Sequence, residues 1–381
     1  MNKKEISEIK KQLCPDRCAI TRICGCYVDH EKQIKTELKE AFLALPQEEM
    51  FKYFNIFKGT LSGTLGKNMI NMEFPLYAEE EGGTQEFLLK LRNSQLKDDA
   101  LIQEFYQKII DTYNYGENYY IVLIHSVYDV PGKAHDGMEM EDASDTVYDH
   151  ILCSICPVNL AKSALCYNEE RNSIEERIRD WVVDAPAHGF LFPAFNDRAT
   201  DVHGLLYYSK NPETLQLDFI DQMLGCSQPL TSKGQKEAFQ TIIEETLGDN
   251  CDFETVKTIH ENLQEIVEEH KEEPTPVTFE KNDVKRLLEV SGLSDEQLED
   301  FDSHFEDSVD EKAVFSAANV VNTRSFEIKT PDVVVKVNPA MTHLVETKVI
   351  DGKTCLVIAI NDNVEVNGIN VKSICGSSMD E

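Results

Sequence analysis

Among the 381 residues there is one tryptophan, and Lys and Arg number only 37 against 69 Asp and Glu. No run of about 18 apolar residues occurs, so no transmembrane helix is expected; the best stretches, 119–130 and 354–360, are too short. The shortage of cations leaves a formal net charge of −32. That excludes a broad phosphate-binding surface, which needs clustered Lys and Arg, and argues against adsorption to an anionic membrane. The opening MNKKEISEIKKQLC is charged where a secretory signal would be apolar, so a cytoplasmic location is expected. There is no internal repeat, and neither G-x-S-x-G nor H-E-x-x-H is present.

What the chain does have is material for a core. Hydrophobic residues make up 41% and aromatics 8%, which excludes wholesale disorder. The length suggests two or three domains of roughly 100–200 residues each. The charge is uneven along the chain. Residues 1–72 carry 12 Lys and Arg and 9 Asp and Glu, a net of +3, while the other 309 carry 25 and 60, a net of −35. Residues 295–311 alone hold nine acids and no Lys or Arg.

Apolar spacing predicts helices over 3–13, 31–45, 47–57, 84–92, 98–113, 217–224, 232–247, 253–271 and 283–290. Ser294 is read as the N-cap of a further, acidic helix over 295–311, and Gly225 and Gly248 as C′ residues. Strands are predicted at 20–28, 118–130, 148–157, 163–167, 180–184, 189–192 and 204–209, and again at 326–330, 333–338, 343–350 and 353–360, with 364–371 as an extension. Residues 61–74 read as a loop or an irregular helix entry, and Asp351-Gly352 as a type I′ hairpin turn. Together these predict an α+β fold: N-terminal helices with a central mixed or antiparallel sheet of five or six strands, a helical middle section and a C-terminal antiparallel β-meander. The expected segments are 1–75, 76–228, 229–312 and 313–381.

Candidate chemistry is sparse. Eleven cysteines, an odd number, default to free thiols in a reducing compartment. Cys153-Ser-Ile-Cys156 is a CxxC, but it lies in an apolar strand where the two thiols point to opposite faces. Cys14, Cys18, Cys24 and Cys26 cluster without the paired spacing of a zinc site. Gly63-Thr-Leu-Gly66-Lys67-Asn68 has two residues between its glycines and Asn after the Lys, so it does not meet the P-loop pattern. His125, His188 and His203 could act as bases but have no recognisable partner. The acidic loop from Asp136 to Asp149, flanked by His135 and His150, could hold a divalent ion but lacks EF-hand spacing. Trp181 is expected in the core.

Taken whole, the chain resembles an uncharacterised bacterial family known only as a domain of unknown function. The residues that carry this are 3–11, the run Ile20-Thr-Arg-Ile-Cys-Gly-Cys-Tyr-Val28, 49–54 and Leu61-Ser-Gly-Thr-Leu-Gly-Lys-Asn68. It is also similar to the bacterial nucleoid-associated protein family. That likeness rests on the order of helix 87–92, a second helix and strand 119–128, then Asp218-Phe-Ile-Asp-Gln-Met-Leu-Gly-Cys226, helix 232–247 and strands 326–338 and 353–360. The second resemblance implies an acidic protein that associates with the nucleoid and supplies no catalytic residues. The N-terminal cysteine-bearing segment departs from that family, which puts shared partners in doubt.

The expected function is therefore a non-enzymatic cytosolic interaction protein. It would reach DNA through a protein partner or by a weak contact from the mildly basic N-terminal part, at Arg17, Arg22, Lys52, Lys58 and Lys67. No cofactor and no membrane are expected, and a homo-oligomer is left open. The alternative is a small-molecule or metal-dependent enzyme using the 135–150 acidic and histidine loop or the N-terminal cysteines.

Overall fold

The computed structural model describes residues 1–133, 139–140, 146–311, 313–360 and 364–371. The chain divides into two units: Met1–Gln235 with Glu273–Pro276, and Lys236–Glu272 with Val277–Glu381. The class is α+β.

The first unit is built on one sheet. Its strands are β1 (Ile20–Val28), β2 (Ile34–Ala41), β3 (Met69–Glu73), β4 (Tyr119–Val130) and β5 (Thr146–Leu160), followed after a separate hairpin, β6 (Leu165–Asn168) and β7 (Ser173–Glu176), by β8 (Trp181–Val183), β9 (His188–Phe192) and β10 (Gly204–Ser209). The order across it is β2-β1-β4-β5-β9-β10-β3, with β8 on the far end of β5, and every pair is antiparallel. The sheet has eight strands, not five or six, and strands from 1–75 and 76–228 share it.

Helices cover both faces. Ile121, Leu123, Cys153, Ile155, Phe190 and Tyr207 pack with α3 (Thr84–Asn93), α4 (Asp99–Thr112) and the π-helical turn Phe219–Leu224. Val122, Ile124, Leu152, Leu191 and Leu206 pack with α1 (Lys3–Lys11) and α2 (Gln47–Thr60). Successive strand side chains point to opposite faces. A sheet covered on both sides therefore needs apolar residues at nearly every central position, as Ile121–Ile124 and Ile151–Ile155 show. Gly25 is required by one close approach: a Cβ there would lie 1.9 Å from the Tyr120 hydroxyl oxygen. The Tyr120 ring lies over this glycine, and its hydroxyl is 3.2 Å from that of Tyr53 on α2.

Three elements differ from expectation. The helix predicted over 31–45 is instead the edge strand β2, followed by a short turn at Phe42–Ala44. Asp29 accepts from the backbone N–H of Glu31 and Gln33, at 3.0 and 2.8 Å, and Lys32 takes φ 60°; this turns the chain back. The free edge of β1 is then paired, so tertiary pairing overrides a helix-like sequence. The charged, mostly exposed β2 suits an edge strand. The stretch 61–74 contains β3 as well as a loop.

In the second unit the acidic helix predicted over 295–311 shrinks to α8 (Phe301–Ser308), behind α5 (Ser232–Leu247), α6 (Phe253–Glu269) and α7 (Lys281–Val290). Like charges four apart, such as Asp295/Glu299 and Glu296/Asp300, oppose a longer helix. The part that survives buries Phe301 and Phe305 and meets cations of α7: Lys281 lies 3.2 Å from Asp302 and 2.8 Å from Glu306. The C-terminal strands form as antiparallel pairs, Phe326–Lys329 with Val334–Val337, Val345–Ile350 with Lys353–Ile358, and Val364–Val366 with Ile369–Val371. Asp351 and Gly352 both have positive φ, 51° and 75°, as a type I′ turn requires.

Candidate functional site

The five predicted basic residues do not all meet. Arg17 ends the exposed turn Pro15–Arg17, Lys52 and Lys58 lie on α2, and Lys67 sits between Leu65 and Met69, which pack into the α1/α2 layer. Arg22 shares the opposite face of β1 with Cys24 and Cys26. Its Nε is buried and makes no hydrogen bond. Lys10, a residue that sequence reasoning passed over, joins the α2 side: its ammonium donates to Ser62 Oγ, and Ser62 donates to the Lys58 carbonyl.

The ten described cysteines are all free. Cys24 and Cys26 are buried in the α3/α4 layer, whereas Cys18 packs into the α1/α2 layer on the other face, so the N-terminal thiols do not converge. Burial pushes the Cys24 thiol up to about 11 and the Cys26 thiol up to about 12. Cys156 is likewise pushed up to about 12, and Cys153, in the α3/α4 layer, well above the usual thiol range. The thiolate is the reactive form, so these four are inert packing groups near neutral pH.

Residues 134–138 and 141–145 of the acidic loop, including His135 and Asp136, lie outside the described residues. At its end His150 is buried, stacked 4.3 Å from the Tyr148 ring, and burial lowers its pKa to about 4, so it is neutral at pH 7. His188 is also buried. Its Nε2 donates to the Thr214 carbonyl at 2.9 Å, which leaves Nδ1 to accept from the Tyr113 hydroxyl at 2.8 Å. His203 is exposed and pairs with Glu79 at 2.8 Å, which raises its pKa.

His125 has the most suggestive surroundings. Its Nδ1 lies 2.6 Å from Thr21 Oγ1 and its Nε2 lies 2.7 Å from Asp149 Oδ1. Hydroxyl, imidazole and carboxylate stand in the order of a nucleophile relay. Two details argue against that chemistry. Thr21 donates its proton to the His125 carbonyl at 3.2 Å, so its oxygen faces Nδ1 as an acceptor. The Nε2–Asp149 approach is short but not aligned as a hydrogen bond. The group fastens the irregular start of β1, where the register shifts between Ile20 and Arg22, to β4. Among the described residues no three His, Cys, Asp or Glu side chains are grouped to hold a metal ion.

The feature left after these is an arm. Beyond Pro157, β5 no longer pairs with β4; its last residues pair with β8, and the β6–β7 hairpin lies between them in the chain. Leu165, Tyr167 and Ile174 fall on one face of that hairpin, where Tyr167 and Ile174 are cross-strand partners, and all three are exposed. Ile178 is 85% exposed and Trp181 56%, so the one tryptophan is a surface residue and not a core one. Arg177 N–H donates to the Ala164 carbonyl at 2.9 Å and Ala161 N–H to the Asp180 carbonyl at 2.8 Å, which ties the two legs of the arm together. Among the described residues the side chains of Lys162, Arg177 and Arg179 have no ion-pair partner. The signal legible in sequence was an apolar series, Leu165, Tyr167, Ile174, Ile178 and Trp181, in a segment too short for helices to cover.

Sheet, helical layers and arm define an α+β protein whose thiols on β1 and β5 are buried and whose arm exposes Leu165, Tyr167, Ile174, Ile178 and Trp181. The chain belongs to the family described as a domain of unknown function, DUF4317, whose model matches residues 1–369. No curated protein and no solved structure matches it. No helix among the described residues is long and apolar enough to cross a membrane.

Proposed function

We propose that this chain is a non-enzymatic cytosolic interaction protein that docks a protein partner on the arm formed by the end of β5, the β6–β7 hairpin and β8. The observation that carries this is the exposed apolar face of Leu165, Tyr167 and Ile174, with Ile178 and Trp181 also exposed on the arm. A contiguous apolar surface rimmed by polar groups marks an interaction site. Tyr, Trp and Arg are the residues that anchor interfaces. Residues 161–184 carry six Asp and Glu beside four Lys and Arg, so the complementarity that the arm offers a partner is chiefly apolar. Association with the nucleoid would run through that partner, or through the N-terminal cations Lys10, Arg17, Lys52, Lys58 and Lys67.

The test is recovery of partners from the native cell, with and without nuclease, using the full chain and a Leu165→Ser/Tyr167→Ser/Ile174→Ser variant. The expected result is a protein partner that survives nuclease and is lost with the variant. Recovery indifferent to the arm changes would overturn the reading. Loss on nuclease treatment alone, abolished by Lys52→Glu/Lys58→Glu, would put DNA contact in its place. Arm-dependent dimerisation of the pure chain would make the partner a second copy.

A further inference from the structure

The second unit carries a cleft of about 220 Å³ between α5, α6 and the segment that leads into strand Phe326–Lys329. It is smaller than the roughly 300–1,000 Å³ of pockets for drug-sized ligands, so it has room only for a smaller molecule. Phe239, 2% exposed, and Phe326, 9% exposed, give it apolar wall beside polar lining from Gln240, Gln264, Asn322 and Ser325. Its rim carries opposite charges at two ends. Lys236 and Glu244 both line it from α5, and neither has an ion-pair partner among the described residues. His260 lies toward the Lys236 end, where burial and then the Lys236 charge lower its pKa, leaving a neutral imidazole. Cys251 lies toward the Glu244 end.

The spacing selects among dipolar ligands. Eight residues at a rise of about 1.5 Å put Lys236 and Glu244 about 12 Å apart along the helix. With both side chains extended in parallel from the helix, two charge-assisted contacts of about 2.8 Å leave about 6 Å between the charged groups of the ligand. One α-amino acid is too short. Two extended residues, at about 3.3–3.6 Å each, fit. We propose that this cleft binds a zwitterionic, dipeptide-sized ligand, with its carboxylate at Lys236, its ammonium at Glu244 and an apolar side chain between Phe239 and Phe326. The proposal is independent of the arm.

The experiment is calorimetric titration of the full chain with the dipeptide Ala-Phe, its N-acetyl form, its C-terminal amide, and Ala-Ala. Ala-Phe should bind saturably, and Ala-Ala about tenfold or more weaker for want of the phenyl group. The rim charges are exposed, so each blocked form should lose up to about fivefold. Lys236→Gln should erase the preference for the free carboxylate and Glu244→Gln the preference for the free amine, while the other preference stays in each variant. Absence of saturable Ala-Phe binding at millimolar concentration overturns the proposal. So does equal binding of the blocked forms, or a preference that neither variant removes. Circular dichroism and melting of the two variants should match the native chain, since both residues are exposed.

Discussion

Between Ile151 and Cys156, β5 runs between two helical layers and every residue is buried. Four residues further on, Leu160 pairs with Trp181 of β8, and Leu160, Trp181, Val182 and Val183 are all exposed. The composition hardly changes along this path; the coverage does. Apolar strands in the first unit are buried because α1 and α2 lie on one face and α3 and α4 on the other. Among the described residues no helix has a comparable packing role on the arm, so similar residues there become surface. The contrast separates residues that hold the fold from residues free to meet something else.

The largest effect should come from breaking the covered side. Phe105, on α4, is fully buried and its ring lies 6.3 Å from that of Phe190. Phe105→Ala should cost about 3–5 kcal/mol in urea unfolding. A cost below about 1 kcal/mol would mean that the α3/α4 layer is not packed as described.

The next effect is titration inside the covered side. His150 is buried with a pKa near 4, below the usual imidazole value of about 6.5 in the unfolded chain. As pH falls through 6.5 the unfolded state takes up a proton that the folded state refuses. This histidine's share of stability is therefore complete at pH 7 and is lost progressively down to about pH 4. At pH 5 the loss is about 2 kcal/mol. Urea melts at pH 7 and pH 5 should show a fall in native stability that His150→Gln lessens by about that amount. An equal fall in both chains would show that His150 is not held neutral.

The smallest effect on stability sharpens the contrast from the other side. Leu165→Ser/Tyr167→Ser/Ile174→Ser should change stability by only about 0.5 kcal/mol per site or less, because these side chains are already in water. A loss of several kcal/mol would mean that the arm is covered by its own chain. Trp181, as the only tryptophan, gives a direct readout. Acrylamide should quench its emission readily in the free chain, and protection in dilute pure protein would count against the exposed arm.

Much of the fold was legible in advance. β1 and β10 fall on their predicted bounds because dense β-branched or aromatic runs leave few alternatives. α5 does so because its apolar residues keep helical spacing. β2 was not legible: Ile34 and Leu38 are four apart, which suits a helix, and only the open edge of β1 makes the segment a strand. Of the candidate sites, the paired fate of Cys153 and Cys156 followed from strand alternation. The arm was missed because a lone tryptophan in an apolar stretch reads as core until its cover is known.

The sequence by itself determined an acidic α+β chain, the central strands, the hairpin turn at Asp351-Gly352 and the separation of the charge into a mildly basic start and an acidic remainder. These depend on local period, turn chemistry and composition, which act over a few residues. Only the tertiary structure decided which apolar residues are covered, which cations are left unpaired, and that Lys236 and Glu244 face one cleft while Arg22 is turned away from Lys52 and Lys58. Those outcomes depend on which surfaces meet, and burial and pairing are set by residues far apart in the chain.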